Sequence, residues 1–126
     1  MDVAIKVLRL YTNEAGLSCF GAADIAMEMR RFAPPAPELY VSAPARASEF
    51  VVLRLPVGWT GERHPSPARQ ILFCLSGKVR VTPGVGDPGT VAAGEAWLME
   101  DTSGEGHETE VISQEPFDAV VVRLAQ

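Results

Sequence analysis

Apolar and polar residues alternate with a period of two through most of the second half of this chain. In Lys78–Thr82 (KVRVT), Val79 and Val81 face one way and Lys78, Arg80 and Thr82 the other, as in a strand covered on one side. Gln70–Ser76 (QILFCLS) puts Ile71, Phe73 and Leu75 on one face and Gln70, Leu72 and Cys74 on the other. Both faces are mostly apolar, so this strand is expected to be covered twice, by a second sheet or a partner subunit. The two segments meet at Ser76-Gly77, which predicts a hairpin. Phe50–Leu55 (FVVLRL) is an apolar, β-branched run that stops at Pro56, and it too predicts a strand. Pro83–Gly89 (PGVGDPG) is a turn by composition. Short strands are predicted at Thr90–Ala93, Ala96–Met99 and Glu108–Ser113, and Phe117–Leu124 (FDAVVVRL) closes the series.

The N-terminal third is less regular. Ile5–Tyr11 predicts a strand. In Asp24–Arg31, Ile25, Met27 and Met29 alternate, although Ile25 and Met29 also stand at helical spacing. Gly16, Gly21 and Pro34–Pro37 leave little room for a helix, so a strand is expected. From the middle of the chain onward, six or seven strands at intervals of roughly ten residues suggest an all-β sandwich or barrel.

Composition narrows the possibilities. The 126 residues suffice for one domain, residues 1–126, with enough core to fold without a disulfide or structural metal. Eleven glycines and ten prolines favour frequent turns. Eleven basic against sixteen acidic residues give a net charge of −5, and no basic run exceeds Arg30-Arg31, so a nucleic-acid face is not expected. The apolar runs are too short for a membrane span. Asp2, Lys6 and Arg9 interrupt the N-terminal apolar stretch, which argues against a signal peptide. Two cysteines without a framework fit a reducing cytoplasm.

The candidate chemistry centres on the two histidines, His64 and His107, each at a strand–turn boundary. Around the first the chain reads Gly58, five residues, His64, one residue, Ser66, three residues, Gln70, six residues, Gly77. This resembles the first motif of the cupin superfamily, in which the second and third of the middle positions are His and Glu. Gly94, followed by Glu95, AWLME and DTSGEGH, resembles the second cupin motif. His107 stands at its histidine after a turn two residues longer, and Glu100 and Thr102 replace its Pro and Gly. The match spans roughly residues 50–125, and HPSPARQ and MEDTSGEGH are similar to small single-domain bacterial cupins of unassigned function.

The resemblance implies a cupin-like jelly-roll barrel, commonly homodimeric. It also implies a site in which three histidines and a glutamate hold one divalent metal (Zn, Fe, Mn or Ni). Carried over residue by residue, it leaves His64, Gln70 and His107 as the metal-ligand candidates, with Ser66 at the second histidine position. A neutral amide and an un-ionised hydroxyl are weak ligands for a divalent ion, so affinity should fall steeply. A straight strand would hold His64 and Gln70 about 20 Å apart. Pro65 and Pro67 cannot join a ladder, so a bend there could bring His64, Ser66 and Gln70 around one cavity.

Trp59, beside the motif and before a glycine, is a candidate pocket wall; Trp97 reads as core or interface. Glu100, Asp101, Glu105, Glu108 and Glu110 cluster near His107 and read mainly as a solvated turn and strand edge. One of them could supply a missing ligand or raise the pKa of His107. Cys74 reads as inert core, and Cys19 has no identifiable partner. Ser66 or Ser103 as a nucleophile lacks the Gly-x-Ser-x-Gly elbow.

Three functions compete: a metal-free small-molecule-binding cupin, with His64, Ser66, Gln70, His107 and Trp59 on the ligand; a metal-dependent dioxygenase, isomerase or decarboxylase; and a structural or partner-binding domain. A two-fold homodimer burying the apolar faces of Ile71–Leu75 and Ala119–Val122 is expected with any of them.

Overall fold

In the computed structural model residues 3–125 are described; Asp2, and with it the outer ends of the domain expected at 1–126, lie outside them. Eleven strands and no helix make up the described chain: β1 (Val3–Thr12), β2 (Ser18–Arg30), β3 (Leu39–Ser42), β4 (Ala47–Leu55), β5 (Thr60–His64), β6 (Gln70–Ser76), β7 (Lys78–Thr82), β8 (Gly89–Ala92), β9 (Ala96–Glu100), β10 (His107–Val111) and β11 (Phe117–Leu124). Among the described residues, therefore, no helix is long and apolar enough to cross a membrane.

The strands form two sheets. Seven lie in the order β3-β2-β1-β9-β6-β11-β4 and four in the order β5-β10-β7-β8. All pairs are antiparallel except β1 with β9. The result is an all-β, jelly-roll-like sandwich.

The period-two patterns orient the strands as physical chemistry requires. Across the large sheet, Leu8, Trp97, Leu72, Val121 and Val51 stand in register along one inward row, followed by Leu10, Met99, Gln70 and Arg123. From the small sheet Val79, Val81, Val91 and Val111 meet them, with Phe117 and Ala119, in one buried cluster. Fully burying a side chain such as Phe117 stabilises the fold by about 2–3 kcal/mol.

Three expectations are corrected. There are eleven strands rather than the nine delimited above, because β3 is only four residues long and β5 (TGERH) carries no apolar alternation. The segment expected at Asp24–Arg31 is the outer half of β2, which is one 13-residue strand. Most consequentially, β6 and β7 do not form a hairpin: β6 pairs with β9 and β11, and β7 with β8 and β10, in the other sheet. Ser76-Gly77 is a corner at which the chain changes sheet. Gly77 has φ +82°, and a Cβ there would stand 2.4 Å from the Pro116 carbonyl oxygen, so only glycine permits the crossing.

Candidate functional site

The bend expected between His64 and Gln70 is present, and it too is a change of sheet. His64 ends β5 in the small sheet and Gln70 begins β6 in the large one. Between them Pro65 and Pro67 interrupt the ladder. On β10, His107, Thr109 and Val111 alternate inward, and His107 pairs in register with His64. The two imidazole rings lie 5.4 Å apart, centre to centre.

Their closeness depends on the turn before β10. Gly106 has φ +81°, and a Cβ there would lie 2.0 Å from the carbonyl carbon of His64. The backbones at 106 and 64 can meet only because no side chain stands between them. Arg63 Nη1 donates to the Gly106 carbonyl oxygen at 2.9 Å and closes the junction.

A cavity of about 300 Å³ opens beside the two rings, the lower end of the usual range for small-ligand sites. Its walls include Leu53, Leu55, Trp59, Leu72, Trp97 and Phe117, and its polar groups are His64, Ser66, Gln70, His107, Thr109 and Arg123. All five ligand candidates from the sequence thus line one space. A larger surface hollow of about 580 Å³, between Lys6, Asp24 and Glu95, has no imidazole in its lining.

The group that organises this site is Asp101, the one acidic residue of its cluster that is not solvated. Its side chain has no exposed surface. Oδ1 accepts a hydrogen bond from Ser66 Oγ at 2.7 Å, and Oδ2 accepts from Ser18 Oγ at 2.7 Å and His107 Nδ1 at 2.6 Å. Burial by itself pushes the Asp101 carboxyl upward, but the hydrogen bonds from His107, Ser18 and Ser66 outweigh it and hold the pKa below the usual value. The ionised form of Asp101 is thereby favoured, and three of the roughly four acceptor sites of its carboxylate are taken within the protein.

The neighbouring acids behave as expected of a solvated edge. Glu100 bridges Arg9 and Arg69, Glu108 meets Arg63, Glu110 meets Arg80, and Glu105 is exposed. Asp101 departs from that expectation, and a signal for it existed. Trp97 and Met99 face inward, so the same period of two carries position 101 inward as well. Ser18 gave no comparable signal, since only the tertiary fold brings the start of β2 to Asp101.

The remaining candidates are placed as follows. Ser66 is buried, and its hydroxyl is committed to Asp101 rather than free for a ligand. Gln70 faces the cavity, and its Nε2 donates to Met99 Sδ at 3.3 Å, across the β6–β9 register. Trp97 packs edge-on against His107 at 5.3 Å, and its indole N–H is the one buried side-chain polar atom among the described residues without a hydrogen-bond partner. Cys74 is core, as expected, and burial pushes its thiol upward.

The resemblance to cupins raises the question of a metal, and the donor set answers it poorly. Among the described residues no group of three or more His, Cys, Asp or Glu side chains converges on one position. Ser66 and Asp101 are occupied with each other, and the Gln70 amide is turned toward a thioether. Only His64 and His107 remain, and two neutral imidazoles do not make a resident divalent-metal site. The set of His64, Gln70 and His107 inferred from the motif therefore does not fit the metal.

No protein-family model matches this chain, and no curated protein matches it either. Comparison with solved structures is informative. The cupin domain of Cnp3 from Schizosaccharomyces pombe superposes over 99% of this chain and 84% of its own, with a TM-score of 0.51 at 12% identity. This chain has the cupin fold. A conserved protein of unknown function from Streptococcus pyogenes aligns over 68% of this chain and 71% of its own, with a TM-score of 0.47 at 22% identity. On this fold the two histidines lie on adjacent strands. The buried acid beside them stands where the usual second motif has neither its Pro nor its Gly.

Proposed function

We propose that this cupin binds a small molecule in the cavity beside His64 and His107, without a resident metal. The observation that carries the proposal is the pairing of an apolar cavity with two imidazoles held at one end of it. Small-ligand sites combine a largely apolar wall with a few convergent polar groups in this way. Trp59, Leu72 and Phe117 offer surface to an apolar body, while Gln70, with both donor and acceptor capacity, and the two histidines address its polar part.

The enzymatic alternative, a metal-dependent dioxygenase, isomerase or decarboxylase, needs a donor set that these residues do not supply. A test that separates the two is elemental analysis of protein purified without added metal, followed by thermal melting against small aromatic and alicyclic compounds. Stoichiometric metal would overturn the metal-free reading. Ligand at 100 times its Kd should stabilise the protein by about 2.7 kcal/mol, and the shift should be lost in His64→Ala. A purely structural domain would show neither metal nor shift.

The homodimer belongs to the same proposal. On the outer face of the large sheet Phe50, Val52, Phe73 and Leu75 are exposed, beside Ile71 and Val122. The register places Phe50, Val122 and Ile71 in one row and Val52, Val120 and Phe73 in the next, so the patch is continuous. A second copy laid face to face by a two-fold axis would cover it with its own equivalent. A cytoplasmic setting fits the two free cysteines, Cys19 and Cys74.

A further inference from the structure

The nitrogen that each histidine directs at the protein decides what the other can offer a ligand. His107 Nδ1 lies 2.6 Å from Asp101 Oδ2, and His64 Nδ1 lies 2.6 Å from the carbonyl oxygen of Glu62. A carbonyl oxygen can only accept, and an ionised carboxylate can only accept. Both Nδ1 atoms must therefore donate, and in the neutral ring the hydrogen sits there. The second nitrogen, Nε2, is then a bare lone pair on both rings, and both rings line the cavity.

We infer that Asp101 is a positioning residue that fixes His107 as the Nδ1–H tautomer, so that this cavity selects ligands presenting a hydrogen-bond donor, a hydroxyl or phenol, over carboxylates of the same shape. The inference rests on the cavity being a ligand site. Other groups at the cavity do not reverse the preference. Ser66 donates inward to Asp101, and Gln70 Nε2 donates to Met99. Arg123, at the rim, is engaged with Glu49 at 2.7 Å. A carboxylate would meet two lone pairs, and the donors that remain at the wall, the second N–H of the Gln70 amide, the Thr109 hydroxyl and the buried Trp97 indole N–H, carry no charge to offset them. A hydroxyl would donate to one Nε2, and a vicinal diol could satisfy both.

The test has two parts. Long-range ¹H–¹⁵N spectra of the histidine side chains in the unliganded protein, at a pH at which they show both rings neutral, read the tautomers directly. Both His64 and His107 are expected as Nδ1–H. In Asp101→Asn, whose side chain can also donate, His107 is expected to shift toward a mixture of tautomers while His64 does not. An Nε2–H tautomer for His107 in the unsubstituted protein, or no change on substitution, would overturn the role given to Asp101.

The second part titrates the unsubstituted protein, at the same pH, with phenol and with benzoate, which share a ring and differ in the polar group. Phenol is expected to bind at least about tenfold more tightly, a difference of about 1.4 kcal/mol, and to shift the two Nε2 signals. Benzoate binding as tightly or more tightly would overturn the inference and leave the cavity standing as a ligand site. If neither compound perturbs a cavity residue, the ligand-site reading itself falls, and the selectivity with it.

Discussion

At the scale of single residues, the site is organised by a buried charge rather than by the histidines alone. Asp101→Ala leaves three buried donors, the Ser18 and Ser66 hydroxyls and the His107 Nδ1–H, without an acceptor. It should therefore destabilise the fold by about 3 kcal/mol, and Ser18→Ala or Ser66→Ala by about 1 kcal/mol each, measured by urea unfolding. The two histidines should separate. His64 is exposed and bonded only to the neighbouring Glu62 backbone, so His64→Ala should change stability by less than about 0.5 kcal/mol while ligand uptake is lost. His107→Ala leaves Asp101 short of a donor and should cost about 2 kcal/mol as well as the ligand.

The pH dependence follows from the same group. The Asp101 pKa is lower in the folded chain than in an ordinary carboxyl. Its contribution is therefore present above the unfolded-state value, about 3.9, and is lost as pH falls through the lower folded value. Glu100, held down by Arg69 and Arg9 against its own burial, adds to the acid loss in the same direction. Asp118, held down by its hydrogen bond from Arg54, does so too. Stability measured from pH 6 to pH 2 should fall less steeply in Asp101→Asn than in the unsubstituted protein. An identical slope would mean that Asp101 carries no charge-linked stability.

At the scale of elements, the strands that pack were the legible ones. β6, β7 and β11 were delimited to the residue because their alternation and bounding turns are local properties. β3 was missed because LYVS is only four residues beside the Pro34–Pro37 stretch, and β5 because TGERH carries no apolar alternation; pairing with β2 and β10 makes them strands. The supposed β6–β7 hairpin failed for a related reason. A Ser-Gly junction marks a sharp turn, but whether the chain folds back in the same sheet or crosses to the other is decided by distant neighbours, here Pro116 and Phe117. In the site, the histidines were visible from motif spacing, whereas their partner Asp101 was masked by acidic neighbours that do face solvent. The turn before β10 offers the sharpest test at this scale. Gly106→Ala must place a Cβ against the His64 backbone at positive φ, so it should cost at least about 2 kcal/mol. It should also separate the two rings, seen as loss of cross-peaks between His64 and His107 in nuclear Overhauser spectra.

At the scale of the whole molecule, the two sheets are used differently. The small sheet turns Lys78, Arg80, Glu108 and Glu110 to solvent, while the large sheet leaves Phe73 41% and Leu75 59% exposed on its outer face. The double apolarity of β6 read from the sequence is thus half accounted for by the core, and the other half by the proposed partner copy. Sedimentation at micromolar concentration should show a dimer of the 13.5 kDa chain, and Phe73→Lys with Leu75→Lys should give a folded monomer. A monomer in the unsubstituted protein would remove the two-fold interface from the proposal. The inward side of the same sheet raises the larger question, whether the space it encloses beside His64 and His107 is where a ligand goes. Amide spectra recorded while small aromatic and alicyclic alcohols are titrated into the unsubstituted protein and into His64→Ala answer it most directly. The expected result is a set of shifts confined to residues around the cavity, Trp59, Leu72, Trp97 and Thr109 among them, that is absent from His64→Ala. Shifts centred instead on the hollow between Lys6, Asp24 and Glu95, or equal shifts in His64→Ala, would contradict it.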